Sequence, residues 1–484
     1  MDIHGAGSSV IVIGHCFNSQ KRGRTHRGKV KMTRHDMWGR VCVTGLCTVF
    51  LAGCLTRDAL YDELLETRDA AYDAWLRLRE DGDIPVPAEN LSLDEAVRIA
   101  LLYNKSLQAK IQEREVARGQ LVSAHRLALP RVDATASTAY GSRDTDSANI
   151  SFRQPLFRGG GATAALRAAK LFAFWSDESV RDTIQTVIKQ VTTAYYTALL
   201  ADNLCQVNRD AVVSAEAHLS DVRVKRVNGV ASKYDELRAQ VDVANFRAEL
   251  IRQENNLVLA KTSLLRTLGT ATDAPLALAD QLLHAPVKTT LEEAIETAYA
   301  NRPDLYMAEL NIRMQREQVR ALQGTYLPEI DLAFSAGTDR ARDGDDEWAG
   351  TQRAALELNW SIFDGFGREG ELIAAKAKLR QREIELKSVE EDVFLDVQQA
   401  LLNLKNAEEY VESQRLNLQH AEEGLRLAMT GYREGVNTEV EVVDARSSLT
   451  EARGNHYRAL FDHCMARLSL EQATGLLGKN MEGK

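Results

Sequence analysis

The sequence predicts a mainly α-helical chain interrupted by two pairs of membrane-length β-strands, all of it duplicated in tandem. Three observations predict this fold class. Reading from Val393, alternating steps of four and three reach Val397, Ala400, Leu404, Ala407, Val411, Gln414, Leu418, Ala421, Leu425 and Ala428, and only Gln414 is not apolar. That a/d spacing marks a supercoiled helix packed along its length. No proline occurs from Glu329 to Lys484, so a helix from about Arg368 to Glu434 can run unbroken for about 100 Å at ~1.5 Å per residue. A globular domain has no use for such a rod, whereas a tube or a bridge does.

The third observation is the duplication. Leu93-Asp94-Glu95-Ala96-Val97 returns as Leu291-Glu292-Glu293-Ala294-Ile295, an offset of 198 that also relates Leu107 to Leu305 and Leu129-Pro130 to Leu327-Pro328. Further on the offset is 206, relating Phe157 and Gly159 to Phe363 and Gly365, Gly229-Val230 to Gly435-Val436, and Leu268-Gly269 to Thr474-Gly475. A register held this long with a single shift is the signature of a repeat.

In chain order, residues 1–31 are basic and Gly/Ser-bearing without period, and Met32 or Met37 is the better initiation point. Arg34, Arg40 and the apolar run Val41–Leu51 then read as a signal peptide. The run is too short to span a bilayer as a helix, which needs about 20 residues. It ends in Leu51-Ala52-Gly53-Cys54, which resembles a bacterial lipobox and makes Cys54 the expected lipidation site, with Leu55 in place of an inner-membrane retention aspartate. The expected divisions are 1–53 leader and signal, 54–90 spacer, 91–270 first repeat, 271–288 linker, 289–475 second repeat and 476–484 tail. The spacer carries an amphipathic helix at Tyr61–Arg79 and closes at Ile84-Pro85-Val86-Pro87.

Each repeat opens with a helix capped by Ser92 or Thr290 ahead of an acidic pair, and a second helix then ends at Leu-Pro. Strands follow. Val132, Ala134, Ala136, Thr138 and Tyr140 alternate with polar partners, as do Ile150, Phe152 and Gln154. In the second copy Ile330, Leu332, Phe334 and Ala336, then Ala354, Leu356, Leu358, Trp360 and Ile362, do the same, with the loop Gly141–Ser147 between the strands of the first copy and Asp339–Gly350 between those of the second. Strands of about ten residues suit a tilted bilayer crossing. After each hairpin a glycine cluster opens a long helix that turns at Asn228-Gly229 or Glu434-Gly435 and returns.

Composition narrows the function class. The chain of 484 residues is 44% hydrophobic, 27% charged and 6% aromatic with 8 prolines, which suits long helices and excludes disorder. Its net charge is −9, and residues 1–53 hold eight basic and two acidic side chains, so the remainder carries −15. An acidic body argues against nucleic acid as partner. Only Cys205 and Cys464 of the six cysteines lie in the helical body, which is no disulfide framework, and whether those two pair stays open. Gly365-Phe366-Gly367-Arg368-Glu369-Gly370 has the GxGxxG form, but the helix after it is far too long for a dinucleotide unit and its repeat reads Gly159-Gly160-Gly161-Ala162. His456, His463 and Cys464 lack any accompanying metal motif. No catalytic residue, metal site or cofactor is expected.

Four membrane strands cannot close a barrel alone, and open edges are not tolerated in lipid, so closure demands several chains. The duplicated halves, the Leu-Pro before each hairpin, Gln154-Pro155-Leu156-Phe157-Arg158-Gly159-Gly160, Trp360-Ser361-Ile362-Phe363-Asp364-Gly365-Phe366-Gly367, Gly431-Tyr432-Arg433-Glu434-Gly435 and Glu441-Val442-Val443-Asp444-Ala445 resemble the TolC-like outer-membrane efflux family over residues 90–475. With the lipobox, the resemblance is to its lipoprotein branch. It implies a homotrimer in the outer membrane, a twelve-stranded barrel on a helical tunnel, meeting an inner-membrane pump through a periplasmic adaptor.

The resemblance also implies residue roles. Glu441 and Asp444, three apart on one helical face, would form an acidic pore constriction, the alternative being two solvated carboxylates. Asp235 and Tyr432 would belong to a hydrogen-bond network closing the entrance, and Asn437 stands where some relatives carry a tying arginine. Gly229, Val230, Ala231 and Ser232, with Gly435, Val436, Asn437 and Thr438, would contact the adaptor. The competing reading is a periplasmic coiled-coil adaptor or scaffold without a pore, which the two equivalent hairpins and the strand pairs disfavour.

Overall fold

The computed structural model describes residues 90–140, 145–271, 275–341 and 348–478; Cys54, the Tyr61–Arg79 helix and the last six residues lie outside them. In order these form β1 (Asn90–Leu91), α1 (Leu93–Tyr103), α2 (Lys105–Ala124), β2 (Arg131–Ala139), β3 (Thr145–Arg158), α3 (Gly161–Val227), α4 (Lys233–Leu268), β4 (Ala277–Leu278), α5 (Leu291–Asn301), α6 (Pro303–Gly324), β5 (Glu329–Ala341), β6 (Ala349–Asn359), α7 (Gly367–Arg433) and α8 (Glu439–Ala473). Both long helices, α3 and α7, have 67 residues.

The four long strands make one antiparallel sheet in the order β2-β3-β5-β6, so the second hairpin adds edge to edge onto the first, while the short β1 and β4 pair in parallel as a separate ribbon. β3 begins at Thr145 and β5 runs on to Ala341, further than the glycine-bearing loops predict, because Thr145 pairs with Ala341 across the hairpins. Trp360 and Ile362 extend the alternation in sequence but not the strand. β6 stops at Asn359 because its partner β5 begins at Glu329 and offers no further ladder.

The helices form one layer. Nearest the sheet the neighbours run α2, α3, α6, α7, and towards the turns they run α4, α3, α8, α7. The predicted a/d positions of α7 that are buried include Val393, Val397, Ala400, Leu404, Ala407, Val411 and Ala428. Leu418, Ala421 and Leu425 are half-buried, since α7 there has only α8 beside it in this chain.

α1 docks on α3 and α4, and its repeat equivalent α5 docks on α7. The first cluster is sealed by Tyr195, whose hydroxyl donates to the Leu91 carbonyl at 2.8 Å and to Asp280 Oδ2 at 2.7 Å. Ser92 and Thr290 are the N-caps, accepting from the amides of Glu95 and Glu293. The duplication survives down to backbone contacts. A Cβ on Gly269 would lie 2.5 Å from the Tyr103 carbonyl oxygen, and one on Gly475 would lie 2.8 Å from the Asn301 carbonyl carbon. Each return helix therefore ends on a glycine pressed against the end of a capped helix, where no side chain fits.

Candidate functional site

The sheet has two chemically different faces. Register places Val132, Phe152, Phe334 and Ala354 in one cross-strand row, followed by Ala134, Ile150, Ala336 and Gln352, with Leu332 beside Leu356 and Ile330 beside Leu358. Most of these apolar side chains are exposed. The opposite face carries the row Asp133, Ser151, Ser335, Arg353 and the row Arg131, Arg153, Ala333, Ala355. Ion pairs tie it together: Arg131–Asp133 at 2.7 Å, Arg153–Glu357 at 3.4 Å and Arg158–Asp331 at 2.9 Å. Tyr140 and Trp348 flank the sheet at one end, Trp360, Phe363 and Phe366 at the other, all exposed. Apolar outside, charged inside and aromatic at both rims is the pattern of a strand set between lipid and water. Among the described residues no helix is long and apolar enough to cross a membrane.

The far end of the layer carries the two helix turns. At the first, the Gly229 amide donates to the Arg226 carbonyl and the Val230 amide to the Lys225 carbonyl. At the second, Gly435 donates to Tyr432 and Val436 to Gly431. Both glycines have φ of 76°, so each turn is a Schellman close that needs a left-handed residue. Each is followed by a capping box. The Ser232 amide donates to Asp235 Oδ2 at 2.8 Å, and the Thr438 amide donates to Glu441 Oε2 at 2.8 Å. Asp235 and Glu441, expected in different roles, thus hold the same local position. Asp444 is exposed one turn beyond Glu441. The Asn437 side chain packs over Gly431, where a Cβ would meet it at 2.6 Å.

Side chains at the two turns differ in sign. Residues 223–238 hold five basic and two acidic residues, net +3, while 429–444 hold one basic and four acidic, net −3. Lys225, Arg226, Lys233 and Arg238 stand where the second copy has Gly431, Tyr432, Glu439 and Asp444. In the first tip Glu236 is ringed by Lys233 at 2.8 Å, Arg226 at 2.8 Å and Arg223 at 3.5 Å. The Lys233 hydrogen bond, with the two guanidinium charges, holds its carboxyl below the usual range despite burial.

Between the tips lies a buried polar network that sequence reasoning missed. His218 on α3 meets Glu439 on α8, Nε2 to Oε1, at 2.6 Å. Arg446 on α8, 2% exposed, reaches Asp242 Oδ2 on α4 at 3.1 Å and Ser214 Oγ on α3 at 3.2 Å. Burial pushes the Asp242 carboxyl up, and Arg446 pulls it back only in part. Tyr432 closes the group from α7, with its ring 5.7 Å from that of His218 and the Lys225 ammonium 3.7 Å above it. Burial and the adjacent Glu439 push its phenol up to about 12, so it stays protonated. Asp235 acts on Tyr432 only through its charge, its carboxylate being engaged by Ser232. The available sequence signal was polar residues beside an apolar seam: His218 one position before Leu219, and Arg446 between Val442 and Leu449.

Elsewhere, His463 is fully buried against His284 with ring centroids 4.7 Å apart, and burial lowers its pKa, keeping it neutral. Cys205 and Cys464 are buried free thiols. Among the described residues no group of His, Cys, Asp and Glu side chains converges as a metal site.

The family model for outer membrane efflux proteins matches residues 96–270 and 294–476, one block for each repeat. The chain is 25% identical over 411 residues to the toluene efflux pump outer membrane protein TtgC of Pseudomonas putida, covering 78% of this chain and 81% of that protein. It is 23% identical over 414 residues to the outer membrane protein TolC of Escherichia coli, covering 81% and 83%. Among solved structures, a membrane protein from Pseudomonas aeruginosa superposes with a TM-score of 0.71 at 23% identity, over 81% of this chain and 91% of that one. CusC superposes with a TM-score of 0.70 at 17% identity, over 81% and 96%. With both halves matched, and with the sheet and helix layer arranged as described, this chain belongs to the outer membrane efflux protein family.

Proposed function

We propose that three copies of this chain close into a twelve-stranded barrel over a helical tunnel, forming the passive exit duct of a tripartite efflux assembly. A periplasmic adaptor and an inner-membrane pump would complete the assembly. The observation that carries this reading is the two-faced sheet. Its edges, β2 and β6, have no partner strand among the described residues, and a sheet with an exposed apolar face can only persist in lipid once those edges are paired. The helix layer supports it. Its edge helices expose apolar side chains, Val241, Ile251 and Val258 on α4 and Ile384, Leu395 and Leu402 on α7, as surfaces awaiting a second copy do. The charged sheet face lines a water-filled lumen in this reading, which a scaffold without a pore would not need.

Cys54 is the lipid anchor in this proposal. Glu441 and Asp444 bring six carboxylates around the three-fold axis at the periplasmic entrance and favour cations there. The tip residues 229–232 and 435–438 meet the adaptor, and Asp235 and Tyr432 contribute to holding the entrance closed. The test is single-channel conductance in a planar bilayer for the wild type and for Glu441→Gln with Asp444→Asn. Cation-selective openings that lose selectivity in the double variant are expected. Trimeric protein that inserts and conducts identically with both carboxylates removed would displace the constriction to another site.

A further inference from the structure

Just beyond the sheet, α3 and α6 bound a groove of about 390 Å³ lined by Arg167, Lys170, Leu171, Arg313, Arg316, Glu317 and Arg320. Gly159 and Gly324 pack backbone to backbone at its head. That contact sets the antiparallel register, bringing Arg167 level with Arg316 and Lys170 level with Arg313. Like charges therefore face each other across two packed helices, an arrangement that costs stability unless anions lie among them, and the groove's lining holds a single carboxylate, the buried Glu317, against five cations. Carboxylates meet only part of the charge: Glu309 pairs with Arg313 at 3.3 Å, Glu383 with Arg316 at 3.4 Å and Glu317 with Arg320. Arg167 and Lys170 have no carboxylate within ion-pair distance among the described residues.

Three features of the fold say what such a groove meets. First, α3 and α6 are the inner pair of the layer nearest the sheet, so another copy packing on α2 or α7 leaves the groove uncovered. Second, Arg167 stands four heptads before Tyr195, the residue that anchors the α1 collar, so the groove opens on the collar side. A collar on the inside would fill the bore, which puts that side outermost. Third, Arg167 lies about 9 Å and Lys170 about 14 Å along α3 from Gly161, at ~1.5 Å per residue, at the same sheet-proximal end of the helix layer where Trp360, Phe363 and Phe366 are exposed. That is within reach of headgroups for long side chains that extend towards the interface. The groove is not a product of the duplication. The equivalent positions are Ile373, Lys376, Glu115, Arg118 and Val122, two cations where this groove has five.

We propose that the α3–α6 groove binds the phosphate of an anionic phospholipid in the periplasmic leaflet of the membrane that the barrel spans, an inference that rests on the outer-membrane reading above. The headgroup phosphate accepts from Arg167 and Lys170 on one wall and from Arg316 on the other, with Leu171 against the upper part of an acyl chain. Charge-assisted contact to three cationic side chains favours an anionic over a zwitterionic lipid.

The test uses the full chain, extracted in detergent and titrated with dihexanoyl phosphatidylglycerol, dihexanoyl phosphatidylcholine or inorganic phosphate, with bound molecules counted by native mass spectrometry. The wild type is expected to take up phosphatidylglycerol in preference to phosphatidylcholine. Arg167→Gln with Lys170→Gln should weaken that uptake about 30-fold, the effect of two surface cations on anionic lipid. Arg118→Gln with Lys376→Gln, at the repeat-equivalent positions, should leave it within threefold. Equal uptake of the two lipids, or equal loss in both variants, would overturn the assignment. Competition by inorganic phosphate at matched concentration would overturn the lipid in favour of a soluble anion. Bilayer conductance of the Arg167/Lys170 variant separates this inference from the channel reading: a variant that conducts normally but gives either overturning result leaves the duct standing without its lipid site.

Discussion

At Gly229 and at Gly435 the chain makes the same turn bond for bond, closed by the same glycine geometry and restarted by the same capping box, yet the side chains mounted on it are opposite in sign. The backbone of a helical hairpin tip is set by local requirements that any copy must meet. The side chains are free to diverge once two copies sit beside each other, and here they have diverged into complements. The basic tip surrounds its one buried carboxylate, Glu236, with its own cations. The acidic tip instead sends Glu439 and Arg446 into the neighbouring hairpin to find His218, Asp242 and Ser214. One tip pairs its buried carboxylate from within, whereas the buried charges of the other find their partners only on its neighbour.

The largest test of that contrast is Arg446→Leu. It leaves Asp242 buried without its cation, and breaking a buried pair from one side costs about 3–5 kcal/mol. Thermal unfolding in detergent should show the loss at neutral pH. Because burial already raises the Asp242 carboxyl above its unfolded value, the folded state takes up its proton more readily than the unfolded chain. The deficit should therefore shrink as pH falls through the folded pKa and the carboxylate is neutralised. A deficit that stays constant with pH would remove Asp242 from the account.

Next in size is His218→Leu, which strips a buried oxygen of Glu439 of its partner and should cost about 1–3 kcal/mol, with His218→Gln recovering part of it. The two caps offer an internal control. Ser232→Ala and Thr438→Ala should each cost about 1 kcal/mol, read as faster hydrogen exchange in the first turn of α4 or α8. A clear inequality between them would show that the two tips are not equivalent even in backbone. The smallest effect is that of salt. Raising ionic strength from 0.05 to 0.5 M should loosen the contacts that the exposed Arg223, Arg226 and Lys233 make with Glu236 by roughly 0.2–1 kcal/mol per pair, while the buried His218–Glu439 and Arg446–Asp242 pairs should hold. Exchange protection at residues 223–238 and 429–444 measures both.

Much of the architecture was legible in the sequence because it rests on periodicities that local chemistry enforces. Seven-residue spacing and the absence of proline give α7 its length. Alternation gives the strands, and Leu-Pro and glycine clusters punctuate them. The repeat offsets of 198 and 206 carry through to the paired contacts of Gly269 and Gly475. Strand ends were read less well, since a strand stops where its partner does, and Asn359 ends β6 only because Glu329 begins β5. At the candidate site the glycine turns and the acidic stretch stood out, but the partners of Tyr432 did not.

By itself, then, the sequence determined the elements, their duplication and the two-faced character of each strand, all of which are properties of neighbours within a few turns. Only the tertiary structure decided which residues meet across the repeats. His218 and Glu439 are 221 positions apart and Arg446 and Asp242 are 204, and no local period records such a pairing. It depends on the side-by-side placement of α3 and α8, which the packing of the whole layer sets. The same holds for the α3–α6 groove, whose cations are unremarkable along either helix and become a site only when two antiparallel helices align them.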